Sequence, residues 1–361
     1  MIYYLASVWR DDLAAANLLT YITSRSVAAA LTALAIGMIA YPPFIRWQRA
    51  AAVGQPIRDC GPESHLAKAG TPTMGGSVII AALIATMLLW GNLANGLLMC
   101  VLIATVGFAA VGMIDDWTKL RRADSRGLSM SAKIVLQTLL ALAALIYLRW
   151  HTATGEHTGI LIPYWKDLIV PAGTIGFFLL GWMCIVGSSN AVNLTDGLDG
   201  LAILPAVMVG SGLAVFAYAA GNSVFSGYLD VPYIPGAAEL VIFCAALAGS
   251  GLAFLWFNAA PAQVFMGDTG SLAIGAALAL IAVAIRQEIV FAIMGGLFVL
   301  EAVSVILQVG SYRLFGRRIL QMAPIHHHFE KKGWPENVVV VRFWIATIIL
   351  VLIGLSALKI R

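Results

Sequence analysis

Five aspartates stand in short polar motifs within an otherwise apolar chain. The motifs are residues 112–117, 193–200 and 265–270, and their acidic members are Asp115, Asp116, Asp196, Asp199 and Asp268. Acidic side chains near membrane depth are costly and usually functional. A single aspartate at a helix end can instead be an N-cap or a solvated terminus, and this alternative stays open for Asp196 and Asp199.

Asp115 and Asp116 end an apolar segment, where the helix dipole disfavours negative charge. Two adjacent carboxylates at such a position need basic partners or a cation. A hard divalent cation such as Mg²⁺ meets that need, because it binds one or two carboxylates together with phosphate oxygens. The acidic motifs therefore predict phosphate chemistry around a metal ion.

Glycines flank these aspartates and the end of the segment 68–74; they are Gly75, Gly76, Gly197, Gly200, Gly267 and Gly270. Glycine lets backbone N–H groups approach an anion closely, and helix N-termini attract phosphate. Glycine is also common where membrane helices pack, so the glycines alone are weak evidence. Because the chain has neither a Walker nor a Rossmann signature, ordinary nucleotide binding is not indicated.

Three of the six histidines are consecutive: His326, His327 and His328. Three adjacent residues cannot easily bind one zinc ion, so we favour imidazoles that contact a phosphate or a sugar. The same loop carries Arg313, Arg317 and Arg318, which could equally form a patch for lipid headgroups.

Glu301, Ser304 and Gln308 are spaced to lie on one helical face. Polar side chains within a membrane segment usually face the bundle interior or a polar cavity. We therefore expect this face to point inward, with Glu301 either a paired structural residue or part of the site.

Composition identifies the kind of protein that must position these residues. Of 361 residues, 60% are hydrophobic and 11% are charged, whereas soluble domains carry about 25% charged residues. This excludes a soluble domain, a disordered chain, a coiled coil and a small disulfide scaffold. The four cysteines are widely spaced, which indicates neither a metal site nor a disulfide framework.

Ten apolar segments are long enough to be membrane helices. They are residues 27–45, 74–90, 93–114, 132–150, 168–186, 201–220, 240–257, 264–285, 289–309 and 338–358. The predicted fold is an all-α integral membrane protein, a single polytopic domain over residues 1–361 with ten transmembrane helices. The short stretch 2–9 could lie flat at the interface.

The basic residues set the orientation. The loops after the first, third and ninth segments, together with the first residues of the segments that follow them, hold 15 of the 22 lysines and arginines. The positive-inside rule places these loops in the cytoplasm and both termini outside. All five aspartates then fall at the cytoplasmic edge, on the face that also carries most of the positive charge.

These motifs resemble the polyprenyl-phosphate N-acetylhexosamine-1-phosphate transferase family over nearly the whole chain. The matching motifs are residues 61–65, 71–76, 115–116, 193–200, 261–268 and 323–328. The Ala-Pro-Ile segment before the histidines resembles the muramoyl-pentapeptide branch. The resemblance implies ten helices around a cytoplasmic active-site cleft in the bacterial inner membrane. It also implies transfer of phospho-MurNAc-pentapeptide from UDP-MurNAc-pentapeptide to undecaprenyl phosphate, giving lipid I and UMP.

The resemblance also assigns roles. It implies that Mg²⁺ is required, with Asp268 as a ligand, Asp115 activating the lipid phosphate and Asp116 supporting the metal. The uridine pocket would be lined by Lys68, Gly197, Leu198, Asp199 and Phe265. The diphosphate would lie near Asn193, Asp196 and Asn258. The other predicted substrate-binding residues are Thr73, Lys133, His326, His327 and His328. A homodimer is implied, and no nucleic-acid partner is expected.

Two alternatives remain open from the sequence. An enzyme that moves GlcNAc-1-phosphate to a polyprenyl phosphate shares the acidic motifs, although the histidine triplet argues against it. A transporter or flippase would usually place ionisable residues near the bilayer midplane and often carries internal repeats.

Overall fold

The computed structural model describes residues 1–50, 70–122, 127–151, 159–165 and 169–359. Apolar segments fold as helices because only helices satisfy their own backbone groups in lipid. The first helices are α1 (Ile2–Val8), α2 (Ala14–Leu18), α3 (Ile22–Ala50), α4 (Gly76–Trp90), α5 (Gly96–Arg122) and α6 (Met130–His151). Next come β1 (Gly159–Leu161), β2 (Ile169–Pro171), α7 (Gly173–Thr195), α8 (Ile203–Ala220) and α9 (Ser223–Leu229). The last are α10 (Leu240–Asn258), α11 (Gly267–Ala284), α12 (Glu288–Met294), α13 (Gly296–Phe315), α14 (Ile325–Lys331) and α15 (Glu336–Ser356).

Nine of the described helices are long and apolar enough to cross a membrane, which confirms a multi-pass membrane protein. They are α3, α5, α6, α7, α8, α10, α11, α13 and α15. The remaining predicted span, 74–90, is the apolar helix α4, which has 15 residues. Its length of about 22 Å is shorter than a hydrocarbon core of about 30 Å.

Two predicted spans differ from the helices observed. The segment 168–186 was predicted to be a helix, but β2 pairs with β1 in an antiparallel hairpin, and α7 continues to Thr195. The helix passes through polar residues because they find partners in the bundle: Ser189 Oγ donates to the Leu272 carbonyl, and Asn190 donates to Gln137. The predicted span 289–309 is divided at Gly295 into α12 and α13.

Helix α11 is the centre of the bundle, and every residue from Thr269 to Ala284 is buried. It packs mainly against α5 and α7. Two glycines permit the closest approaches. A Cβ on Gly112 of α5 would lie 2.2 Å from the Asp268 carbonyl oxygen, and one on Gly76 of α4 would lie 2.3 Å from Gly270 Cα. Small residues at such crossings let helix backbones approach closely.

A buried ion pair joins helices at the opposite end of the bundle from the acidic motifs. Arg25 Nη1 donates to Glu239 Oε2 at 3.0 Å, and the same oxygen accepts from the Asn92 backbone at 3.3 Å. The Tyr3 ring covers the guanidinium at 4.2 Å. These contacts hold the start of α3 and the end of α4 against the residue that precedes α10.

Candidate active site

Three aspartates from two helices meet at one end of the bundle. Asp115 and Asp116 lie on α5, and Asp268 lies in the first turn of α11. Each offers a carboxylate oxygen, and these oxygens lie within 4.8 Å of one another. The crossing of the two helices at Gly112, one turn before the aspartate pair, brings them together. The predicted convergence of the acidic motifs is therefore confirmed for these three residues.

Asp116 caps the N-terminus of α11. Its Oδ1 accepts from the Asp268 backbone at 3.1 Å, and its Oδ2 accepts from the Thr269 backbone at 2.9 Å and the Thr269 hydroxyl at 2.7 Å. The first N–H groups of a helix have no partner within it, and the helix dipole favours a negative charge there. Asp116 therefore fixes the start of α11, and with it Asp268, to α5.

Two lysines bridge the other two carboxylates. Lys119 Nζ lies 2.6 Å from Asp115 Oδ2 and 3.2 Å from Asp268 Oδ2. Lys133 Nζ lies 2.6 Å from Asp268 Oδ2 and 3.2 Å from Asp115 Oδ1. From the sequence, Lys119 and Lys133 are both candidates to neutralise a phosphate, and Lys119 is alternatively a residue that sets the membrane orientation. Both ammonium groups lie at the same two carboxylates.

Asn193, near the end of α7, binds the other oxygen of Asp268. Its Nδ2 donates to Asp268 Oδ1 at 2.8 Å and to Ser271 Oγ at 2.8 Å. Asp268 thus receives hydrogen bonds or ion pairs from α5, α6 and α7. This makes Asp268 the residue through which four helices hold the site together.

The residues present fit a divalent cation. Asp115, Asp116 and Asp268 supply oxygen donors, the type that Mg²⁺ prefers, and three carboxylates exceed the charge of the two lysines by one. Asp115 and Asp268 are the stronger candidate ligands, because long lysine side chains pair with their oxygens and can move aside, whereas Asp116 is held by the backbone of α11.

The turn after α7 is held by three elements. Asp199 Oδ2 accepts from the Ala262 backbone at 3.0 Å, and the Asp199 N–H donates to Glu336 at the start of α15. Asn258 bridges the Gly200 N–H and the Val264 carbonyl. Leu198 packs in a small buried apolar cluster with Leu201, Val339 and Val340. These predicted pocket residues therefore give the turn one defined shape.

Asp196 begins this turn. Burial, followed by the charges of Asp268, Asp116 and Asp199, raises the pKa of the Asp196 carboxyl well above its usual range. The charges of the other three aspartates therefore act on the Asp196 carboxyl. This is expected if the acidic motifs form one site.

Thr73 and Phe265 lie on two chain segments that pair before α4 and α11. The Phe265 N–H donates to the Pro72 carbonyl at 2.8 Å, and the Gly75 N–H donates back to the Phe265 carbonyl at 2.8 Å. The Thr73 N–H donates to Gln48 Oε1. This pairing brings the Thr73 segment and the start of α4 against Phe265, which directly precedes α11 in the chain. Lys68 and the motif 61–65 lie outside the described residues.

The three histidines have three different partners. His326 Nδ1 lies 3.0 Å from Glu301 Oε1, and His327 Nδ1 lies 2.6 Å from Glu330 Oε2. His328 Nδ1 accepts from the Gln321 backbone. Because the imidazoles engage separate groups, a shared zinc ion is not favoured.

The polar face of α13 points inward, as predicted. Glu301 and Ser304 are buried, and Gln308 is bonded to the loop that follows the helix. A separate cavity of about 550 Å³ lies beside the end of α13, with Arg313, Arg318 and Lys331 in its lining. Among the described residues, none of the predicted site residues lines this cavity.

Sequence reasoning left out several residues of the site. They are Gln48, Thr269, Ser271 and Glu336. The available signal was position, since Thr269 directly follows Asp268 and Ser271 lies about one helical turn after it, and hydroxyls often bond to carboxylates and amides. Nothing in the local sequence links Glu336 to Asp199, because 137 residues separate them.

One family model matches the chain. It is described as glycosyl transferase family 4 and matches residues 98–286, slightly more than half of the 361 residues. The matched region holds all three clustered aspartates, both bridging lysines and the turn after α7.

Proposed function

The chain belongs to glycosyl transferase family 4, and from this premise we propose that it transfers phospho-MurNAc-pentapeptide from UDP-MurNAc-pentapeptide to undecaprenyl phosphate. Membership of this family supports the more general statement that the chain is a membrane enzyme that transfers sugar 1-phosphates to polyprenyl phosphates. The pentapeptide-bearing sugar is the finer proposal, and the histidine triplet after Ala-Pro-Ile supports it. Lipid I and UMP would be the products.

The observation that carries the proposal is the group of Asp115, Asp116 and Asp268 with two bridging lysines at one end of a membrane bundle. Phosphoryl transfer between two anionic groups is limited mainly by repulsion, so catalysis needs positioning and neutralisation. Lys119 and Lys133 would turn from the carboxylates to the phosphates when the donor binds.

In the proposed reaction, an oxygen of the acceptor phosphate attacks the phosphorus attached to the sugar. A new P–O bond forms at this phosphorus, and its bond to the oxygen that bridges the two phosphorus atoms breaks. UMP leaves with the bridging oxygen and the electron pair of that bond. Asp115 would accept a proton from a protonated acceptor phosphate. Asp115 and Asp268 would hold Mg²⁺, with Asp116 supporting them. When bound, the ion would neutralise charge on the diphosphate.

We further propose that the site faces the cytoplasm of a bacterium and that both termini lie outside. The distribution of lysine and arginine along the sequence supports this orientation. The protein would act as a homodimer in the inner membrane, with the lipid acceptor reaching the site from the surrounding lipids.

The test is UMP release by the purified protein in detergent with Mg²⁺. UDP-MurNAc-pentapeptide with undecaprenyl phosphate should give UMP, and omission of the lipid should abolish release. Release from UDP-GlcNAc but not from the muramoyl donor would assign the protein to GlcNAc-1-phosphate transfer instead. The variant D268N serves as the inactive control.

A further inference from the structure

Glu301 and His326 form a fully buried pair between a membrane helix and the loop that follows it. Glu301 lies on α13, His326 lies on α14, and neither side chain has any exposed surface. His326 Nδ1 is 3.0 Å from Glu301 Oε1. Ionisable groups are rarely buried without a function or a partner, and here each is the partner of the other.

The opposite edge of the His326 ring faces the turn after α7. Its Nε2 is buried and forms no hydrogen bond within the described part of the chain. A Cβ built on Gly197 would lie 2.5 Å from this Nε2, so only glycine leaves room for the ring. The position of the turn therefore depends on the position of the ring.

Glu301 determines how the ring is presented. A carboxylate accepts hydrogen bonds and does not donate them, so the proton of a neutral His326 must sit on Nδ1. Nε2 then faces the turn as a lone-pair acceptor. The carboxylate thus selects both the orientation and the tautomer of the imidazole.

A second contact on the same helical face keeps the loop in place. Gln308, two turns after Glu301, accepts from the Ile319 and Leu320 N–H groups and donates to the Leu320 carbonyl. The loop is thus bound to α13 at two levels, which lets α14 deliver His326 to Glu301.

We propose that Glu301 is a positioning residue for the nucleotide end of the substrate. Through His326, it sets the turn that carries Asp196, Gly197 and Asp199, the turn assigned above to the donor nucleotide. Glu301 lies outside the acidic group and acts through a second residue. This inference rests on the proposed function, because it requires the turn to bind a uridine nucleotide.

The test uses UMP binding by the purified full-length protein, measured by calorimetry without any turnover. In E301Q the amide can bond to either tautomer, so the ring is no longer fixed. We expect the Kd for UMP to rise about tenfold, a change of about 1.4 kcal/mol. The KM for UDP-MurNAc-pentapeptide should rise similarly, while the KM for undecaprenyl phosphate stays within twofold.

A double-mutant cycle distinguishes positioning through His326 from a general loss of structure. H326N retains a donor near the Nδ1 position and removes the Nε2 edge. If the two residues act as one unit, E301Q combined with H326N should bind UMP no more weakly than H326N alone. Fully additive losses would overturn the inference.

E239Q is the matched control, because Glu239 is also buried and paired but lies at the other end of the bundle. It should lower the melting temperature and leave the Kd for UMP within twofold. Unchanged UMP binding in E301Q would overturn the inference, whereas a wild-type protein that binds no UMP would overturn the proposed function. If E301Q does not fold, the same UMP binding measurement is made on G197A. The added methyl group must displace either the turn after α7 or the His326 ring, and an unchanged Kd for UMP would overturn the inference.

Discussion

The carboxylate of Asp116 accepts hydrogen bonds from both the backbone N–H and the hydroxyl of Thr269. The contact joins the end of an apolar stretch of α5 to the first turn of the central helix α11. It explains how a carboxylate can be buried near a helix end that disfavours it, since the N-terminus of a different helix supplies the compensating dipole.

Replacing Thr269 with valine tests this cap. T269V keeps the side-chain shape, removes the hydroxyl donor and should destabilise the protein by about 1 kcal/mol. UMP release should fall several-fold, because Asp268 loses part of its support. T105V is the control, since the hydrogen bond of the buried Thr105 hydroxyl within the described part of the chain goes to Val101 on the same helix. Thermal melting and kcat measure the two effects, and equal loss of activity in both variants would contradict a specific role for the cap.

Asp268 should be the most sensitive residue of the site. D268N removes the charge that pairs with Lys119 and Lys133 while its amide keeps the shape of the side chain. We expect UMP release to fall at least about a hundredfold and the Mg²⁺ concentration for half-maximal rate to rise. D11N is the control, because Asp11 is exposed and lies near the other end of the chain. It should change neither UMP release nor the Mg²⁺ concentration for half-maximal rate.

Chelation should abolish turnover reversibly. We expect excess EDTA to stop UMP release and added Mg²⁺ to restore it, because the two lysines alone leave one carboxylate charge uncompensated. Full activity in EDTA would show that the aspartates and lysines act without a metal ion.

The crossing at Gly112 should not tolerate a methyl group. In G112A the Cβ would meet the Asp268 carbonyl oxygen at 2.2 Å, so α5 and α11 must separate. We expect a lower melting temperature and loss of most activity. G187A is the control, because a Cβ at that position on α7 meets nothing within 4 Å. An active, stable G112A protein would mean that the helices can separate without disturbing the aspartates.

Glu288, at the start of α12, should make stability depend on pH. Burial raises the pKa of its carboxyl from 4.5 to about 7. The folded state therefore holds a proton that the unfolded state releases. The stabilisation that this proton gives the folded state is fully present below pH 4.5 and is lost as the pH rises through 7. The free energy of unfolding of E288Q should exceed that of wild type by up to about 3 kcal/mol at pH 8 and by little at pH 4. Melting temperatures measured at both values test the prediction, and an equal difference at the two would contradict it.

Much of the architecture follows from the sequence because hydropathy and charge act residue by residue. The apolar segments identified a membrane bundle, and their alternation placed Asp115, Asp116 and Asp268 at one end before any contact was known. The spacing of Glu301, Ser304 and Gln308 predicted the inward face of α13. The same local rules misplaced α7, because its polar residues are stabilised by partners on other helices.

Hydropathy and the pattern of charges are enough to predict that acidic groups gather at one membrane edge, where they need cations. The individual pairs are visible only in the packed helices: Asp116 caps α11, Lys119 and Lys133 bridge Asp115 and Asp268, and Glu301 holds His326. The physical reason is that burial and hydrophobic pattern belong to single segments. A hydrogen bond or ion pair depends on ångström-scale distances between segments far apart in the chain, and those distances are set when the helices pack.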